Sequence, residues 1–187
     1  KFLYQSPKIL VVTNVDFDHP DIYESINEIR KVFLELVNKL PPDGILISCG
    51  DGQENRNFLN SFTGRKITYG FSPDCDFILE RVNGSSDRTF FWVKSSETIL
   101  GQFSLQVFGE QNALNALSSV IVGLEIGLSV DQIKKGLSKF AGTKRRSEFI
   151  GSIPGGGLLY DDYAHHPEEI KKTLSAFKKN FPKRKII

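Results

Sequence analysis

The 187 residues carry 24 basic against 22 acidic side chains, a formal charge of +2, and 40% of them are apolar. That supports one domain, or one and part of a second, with a real core, and the nearly cancelled charge gives no reason to expect nucleic acid or an anionic membrane as partner. Two cysteines, Cys49 and Cys75, are too few for a disulfide framework, no run reaches the roughly 18 apolar residues of a membrane span, and no signal-peptide pattern is present, so a cytoplasmic protein is expected. The chain opens at Lys1 and contains no methionine, and an internal piece of a longer protein is the expectation.

In chain order, "KILVVTNV" is a β-branched run that predicts a buried strand, ending in the polar loop "NVDFDHPD". From Asp21, the apolar positions Ile22, Ile26, Ile29, Phe33, Leu36, Val37 and Leu40 recur at three and four residues, which predicts an amphipathic helix stopped by "PPDG". "ILISC" and "KITYG" read as strands, and "DFILERVNG" with "TFFWVKSS" as a hairpin turning on Asn83 and Gly84. "GDGQEN" and "PGGG" read as turns, since neither completes a phosphate-loop or dinucleotide fingerprint. In "GQFSLQVFGE", Phe103, Leu105 and Val107 alternate with polar residues, as in a half-buried strand.

The segment from Asn112 to Glu125 predicts a buried helix ending at Gly127, and Ser129 with Gln132 forms a capping box ahead of a second helix. The composition then turns basic and glycine-rich in "AGTKRRSEFIGSIPGGG", and a domain boundary is expected near Gly142. Beyond it come the strand "LLYDD", a helix begun by Pro167 with Ile170, Leu174, Phe177 and Phe181 inward, and "KRKII" as the start of one more strand. The alternation predicts an α/β protein with partly parallel sheets, which bind ligands at the C-terminal ends of their strands.

Polar clusters lie at two such ends. Asp161, Asp162, His165 and His166 surround a helix N-terminus that favours negative charge, which suits a nucleotide: a carboxylate accepts ribose hydroxyls and an imidazole binds carboxylate or phosphate. Cap residues and a solvated strand end, or a metal site, are alternative readings of the same four residues. Asp16, Asp18 and His19 after the first strand offer Mg²⁺ ligands, or else a solvated loop with Asp21 as helix cap. Asn112 and Asn115 share one face of a helical turn, and their amides suit the edge of adenine. Arg145 and Arg146 sit at the boundary, where guanidinium groups reach phosphate, or form a solvated linker.

Taken in order, "TNVDFDHPDIY", "GEQNALNAL", "FAGTKRRSE" and "DDYAHHPEEI" resemble the Mur ligases over nearly the whole chain, with "DDYAHHP" after "KRR" the most specific signal. The resemblance implies a cytoplasmic amide ligase of peptidoglycan synthesis that uses ATP and Mg²⁺ to activate a sugar-nucleotide carboxylate as an acyl phosphate. It points to the members that join L-alanine to UDP-N-acetylmuramate, and next to those that attach a recycled tripeptide. Residues 1–142 would be the later part of a central ATP-binding domain and 143–187 the beginning of a Rossmann-like C-terminal ligase domain. By similarity, His19 would bind Mg²⁺ with Asp18, Asn112 and Asn115 would meet adenine, Arg146 the phosphates and Asp162 the ribose, with Tyr163 beside the nucleotide and His165 near the reacting carboxylate. Gln111 stands where the family generally has histidine, which alters base recognition because an amide does not stack as an imidazole does. No Gly-x-x-Gly-Lys-Thr loop occurs in the 187 residues, and the resemblance places it upstream of Lys1. Rival readings of another class are a metal-dependent hydrolase built on Asp161, Asp162, His165 and His166, and a non-catalytic nucleotide-binding module.

Overall fold

The structure is a computed structural model that describes residues 2–17, 19–84, 88–96 and 98–187. Six strands lie side by side in sequence order: β1 (Ile9–Val12), β2 (Ile45–Cys49), β3 (Lys66–Gly70), β4 (Phe77–Gly84), β5 (Thr89–Ser95) and β6 (Ile99–Leu105). The first four run parallel, β5 returns antiparallel and β6 reverses again beside it, so the α/β expectation holds with a mixed sheet.

Helices α1 (Ile26–Val37) and α2 (Gln53–Asn60) cover one face, and α3 (Glu110–Glu125) with α4 (Val130–Leu137) the other. Strand β2 lies between these layers: Ile45, Ile47 and Cys49 join the α3 core and Leu46 the α1 and α2 core. A strand covered on both sides has no wet face, which is why "ILISC" is apolar without alternating. In β5 and β6, Phe91, Val93, Phe103 and Leu105 are buried beneath the helices, and the rings of Phe91 and Phe103 stack with centroids 5.6 Å apart. Cys49 and Cys75 are free and buried, and burial pushes the Cys75 thiol up to about 11, so it stays protonated at neutral pH.

A second unit follows α4: strands β7 (Glu148–Ile153) and β8 (Gly157–Asp161) form an antiparallel hairpin, and α5 (Pro167–Asn180) packs behind it. Phe108, just after β6, is 6% exposed and inserts edge-on among Tyr160, Phe177 and Phe181, with centroids 5.9, 4.9 and 5.7 Å away. Among the described residues no helix is long and apolar enough to cross a membrane.

Several elements depart from their sequence patterns. Helix α1 begins at Ile26 rather than Asp21: Ser25 is the extended N-cap residue, not Asp21, and the N–H groups of Ile22 and Tyr23 bond the His19 carbonyl in a separate turn. Asn83 and Gly84 pair with Phe90 and Thr89 inside the ladder, so the hairpin does not turn on them and its connection lies at 85–88, largely outside the described residues. "GDGQEN" is a turn only to Gly52, because Gln53 already opens α2. β7 was not legible as a strand: its ladder shifts register between Phe149 and Gly151, and this irregularity spoils the period of two. Of the four residues expected inward at α5, Phe177 and Phe181 are, against Phe108, whereas Ile170 and Leu174 are exposed, and residues 181–187 contain no strand. The Ser129 to Gln132 capping box forms as expected, with both reciprocal bonds present.

Candidate functional site

A cleft of about 700 Å³ opens where the first turns of α3 face α5 and the 142–147 connection. It brings together five of the residues singled out in the sequence: Gln111, Asn112 and Asn115 on one wall, Arg146 and Asp162 on the other. Thr13 and Asn14, at the C-terminal end of β1, also reach it.

The α3 wall starts from Gly109, whose φ of +110° is open to glycine and strained for other residues. That turn lets the Asn112 amide Nδ2 donate to the Phe108 carbonyl at 2.8 Å, leaving its Oδ1 as acceptor. One turn on, Gln111 Nε2 donates to Asn115 Oδ1 at 3.3 Å, leaving the Asn115 Nδ2 as donor. The wall therefore presents an acceptor and a donor three residues apart on one helix face.

The opposite wall is held by Asp162. Its Oδ2 accepts from the backbone N–H of Ser147 at 2.7 Å and from the Ser147 hydroxyl at 3.0 Å, and its Oδ1 accepts from the Ala164 N–H at 2.8 Å. These bonds fasten the end of β8 to the start of β7. Arg145 and Ser147 both have positive φ, 59° and 48°, so the chain twists sharply on either side of Arg146. Arg145 is thereby turned away from the cleft, its guanidinium 4.5 Å above the Tyr163 ring and 3.9 Å from Asp161, while Arg146 enters the cleft 4.0 Å from Glu169.

Tyr163 and His165 lie beside the cleft rather than in its lining. The His165 Nδ1 is 3.0 Å from the Tyr163 carbonyl and 3.7 Å from the Glu169 carboxylate, at the N-terminal end of α5. The carbonyl of His166 accepts the Ile170 N–H at 3.0 Å in the first turn of α5. Asp161 faces Arg145, Asp162 faces Ser147 and His165 faces Tyr163, so these three diverge, and among the described residues no three potential metal ligands cluster. The geometry of this segment thus speaks against the metal-dependent hydrolase.

His19 is exposed on the loop after β1, outside the cleft, with a left-handed φ of 55°, and Asp18 lies outside the described residues. Asp16 accepts from Asn14 Nδ2 at 2.7 Å. The loop is anchored by a residue the sequence reading passed over: buried Asn55 of α2 accepts the Val15 N–H at 2.8 Å and donates to the Asp51 carbonyl at 3.0 Å. Ser147, Glu169 and Lys172 also line the cleft and were missed. Ser147 stood next to the flagged arginines in "KRRSE", but only the folded loop shows that it, rather than Arg145, meets Asp162.

The family model described as "Mur ligase middle domain" matches residues 2–123. The chain belongs to the Mur ligase family. A second Mur ligase model, "glutamate ligase domain", matches residues 145–187. Among curated Mur ligases, the "UDP-N-acetylmuramate--L-alanine ligase" of Desulfitobacterium hafniense is 39% identical over 186 residues, which cover 99% of this chain and 40% of that protein. Among solved structures, the UDP-N-acetylmuramate-alanine ligase MurC of Thermotoga maritima superposes with a TM-score of 0.81 at 25% identity, covering 98% of this chain and 41% of that one. The UDP-N-acetylmuramate:L-alanyl-gamma-D-glutamyl-meso-diaminopimelate ligase of Neisseria meningitides gives 0.67 at 23% identity over 77% of this chain and 43% of its own. The chain thus spans about two fifths of the length of the Mur ligases it matches.

Proposed function

We propose that this chain is part of a cytoplasmic, ATP-dependent ligase that joins L-alanine to UDP-N-acetylmuramate through an acyl phosphate. Residues 1–142 are read as the later part of its ATP-binding domain and 143–187 as the start of the ligase domain. The observation that carries the reading is the cleft, where an amide wall on α3 faces a carboxylate and a guanidinium across the connection. Adenine carries a donor at N6 beside an acceptor ring nitrogen, and the free Oδ1 of Asn112 with the free Nδ2 of Asn115 complements that edge. Gln111 acts here by fixing which way the Asn115 amide points. Asp162 retains one lone pair for a ribose hydroxyl, on Oδ1, since each carboxylate oxygen has two and Oδ2 already accepts two bonds from Ser147.

Arg146, which lines the cleft, would neutralise charge on the transferring phosphoryl group, as such reactions require. His165 sits at the N-terminus of α5, where an anionic carboxylate is favoured. Mg²⁺ keeps several waters and takes phosphate oxygens, so the sparse set of His19 and Asp18 suits it, and its charge would assist phosphoryl transfer when bound. The likeness to relatives named for L-alanine supports the choice of amino acid.

The test is a ligation assay on the full-length protein with ATP and UDP-N-acetylmuramate, comparing L-alanine with the L-alanyl-γ-D-glutamyl-meso-diaminopimelate tripeptide. ADP and phosphate release dependent on L-alanine is expected. Preference for the tripeptide would move the protein to the neighbouring ligase, and ATP binding without turnover on either substrate would leave a nucleotide-binding module.

A further inference from the structure

We propose that Glu169 is a positioning residue of this reaction, whose carboxylate sets Arg146, on the transferring phosphoryl group, beside His165, on the reacting carboxylate. The inference rests on the ligase reading of the cleft and gives a part in it to a residue that reading leaves idle. Glu169 is the third residue of α5 and lines the nucleotide cleft.

Its two oxygens serve different partners. Oε1 lies 4.0 Å from Nη1 of Arg146, while Oε2 lies 3.7 Å from Nδ1 of His165 and accepts the backbone N–H of the same residue at 3.4 Å. The main chains behind the two partners are already tied: the Tyr163 N–H donates to the Arg145 carbonyl at 2.8 Å, and Ser147 donates twice to Asp162. What those bonds leave free is the long Arg146 side chain, 57% exposed, and the His165 ring, 60% exposed. A shared carboxylate restricts both, and so sets the spacing of a guanidinium and an imidazole whose reaction partners must meet in line.

The contact also fixes which ring nitrogen serves the substrate. The Tyr163 carbonyl, 3.0 Å from Nδ1, and the Glu169 carboxylate can only accept, so Nδ1 carries a proton and Nε2 is the nitrogen left to meet a ligand. A carboxylate in the wall of a cleft for a polyphosphate opposes binding by its charge, so nucleotide affinity does not account for Glu169. Ion pairs this exposed contribute little stability either. Orientation accounts for it, at some expense of affinity. Capping of α5 through the His165 N–H is the other use these contacts allow, and a glutamine would serve it equally well.

The test is Glu169→Gln in the full-length protein, which keeps an oxygen for the His165 N–H and removes the charge. ATP affinity by calorimetry should be unchanged or higher, the melting temperature unchanged, and kcat lower by about tenfold or more, because misaligned groups lose their effect in the transition state rather than in binding. Combined with Arg146→Gln, the loss in kcat should be smaller than the product of the two single losses, since Glu169 acts partly through that guanidinium. Nitrogen chemical shifts of the His165 ring in the unaltered protein should show a proton on Nδ1, a readout independent of any reaction. A ring protonated at Nε2 alone, a kcat within about twofold of the unaltered protein's, a loss of ATP affinity or a fully multiplicative double variant would each overturn the inference alone. Absence of ligation by the unaltered protein would overturn the functional reading and this inference with it.

Discussion

Asp162 accepts three hydrogen bonds from its own chain, from the Ser147 N–H and hydroxyl on one oxygen and the Ala164 N–H on the other. An asparagine there must turn its NH₂ against one of those donors whichever way the amide lies. Asp162→Asn is therefore expected to weaken ATP binding by about 1 to 3 kcal/mol, partly through the loop and partly through the ribose. The two contributions separate with 2′-deoxy-ATP in calorimetry. If Asp162 holds the ribose, the unaltered protein prefers ATP to the deoxy analogue and the Asp162→Asn protein does not. An unchanged preference would restrict the carboxylate to fastening β7 to β8. The sequence marked Asp162 as a residue that matters, but its tie to Ser147, fifteen positions away, depends on two residues with positive φ that no composition rule anticipates.

At the scale of elements, strands and helices that bury apolar side chains in a core were the most legible, because burial leaves the plainest pattern: β2, β3, α3 and α4 stand where their periods put them. Errors fell where polar chemistry decides. Pro20 and the turn centred on the His19 carbonyl delay α1 to Ile26, although Ile22 continues the apolar period, and Ile22 is 64% exposed as a result. The bulge in β7 masks a strand, and the inward face of α5 is set by Phe108, which contacts it from another element. Asn55 belongs to this scale as well, since it ties α2 to the loops after β1 and β2 and so sets where His19 is carried. Asn55→Ala should cost about 1 to 3 kcal/mol in urea unfolding, because a buried N–H and a carbonyl lose their partner together. If His19 and Asp18 hold Mg²⁺ as proposed, it should also raise the Mg²⁺ concentration needed for half-maximal activity of the full-length protein, and an unchanged requirement would detach this anchor from that role.

For the molecule as a whole, the sheet and the hairpin unit are joined covalently through the 138–147 segment and, across space, chiefly through Phe108. Phe108→Ala should cost about 3 to 5 kcal/mol of the contact between the two. Limited proteolysis of the full-length protein should then cut within residues 145–187 at denaturant concentrations that leave the sheet intact; protection equal to that of the unaltered protein would show that other contacts suffice. Burial raises the Tyr160 phenol above its usual range, which fits a ring enclosed by the same cluster.

The ring that plugs this cluster sits between two backbone positions with wide torsional latitude, Gly109 at φ +110° next to it and Gly142 at φ +96° on the covalent link. A round plug with swivels on both connecting threads behaves as a ball joint, steadied to one side by the ion pair of Lys179 with Glu110: it resists pulling apart more than turning. The cleft walls, one on each side of that joint, would then swing past each other like the jaws of pliers, so that the width of the cleft is set by angle, with the distance between the two units held constant.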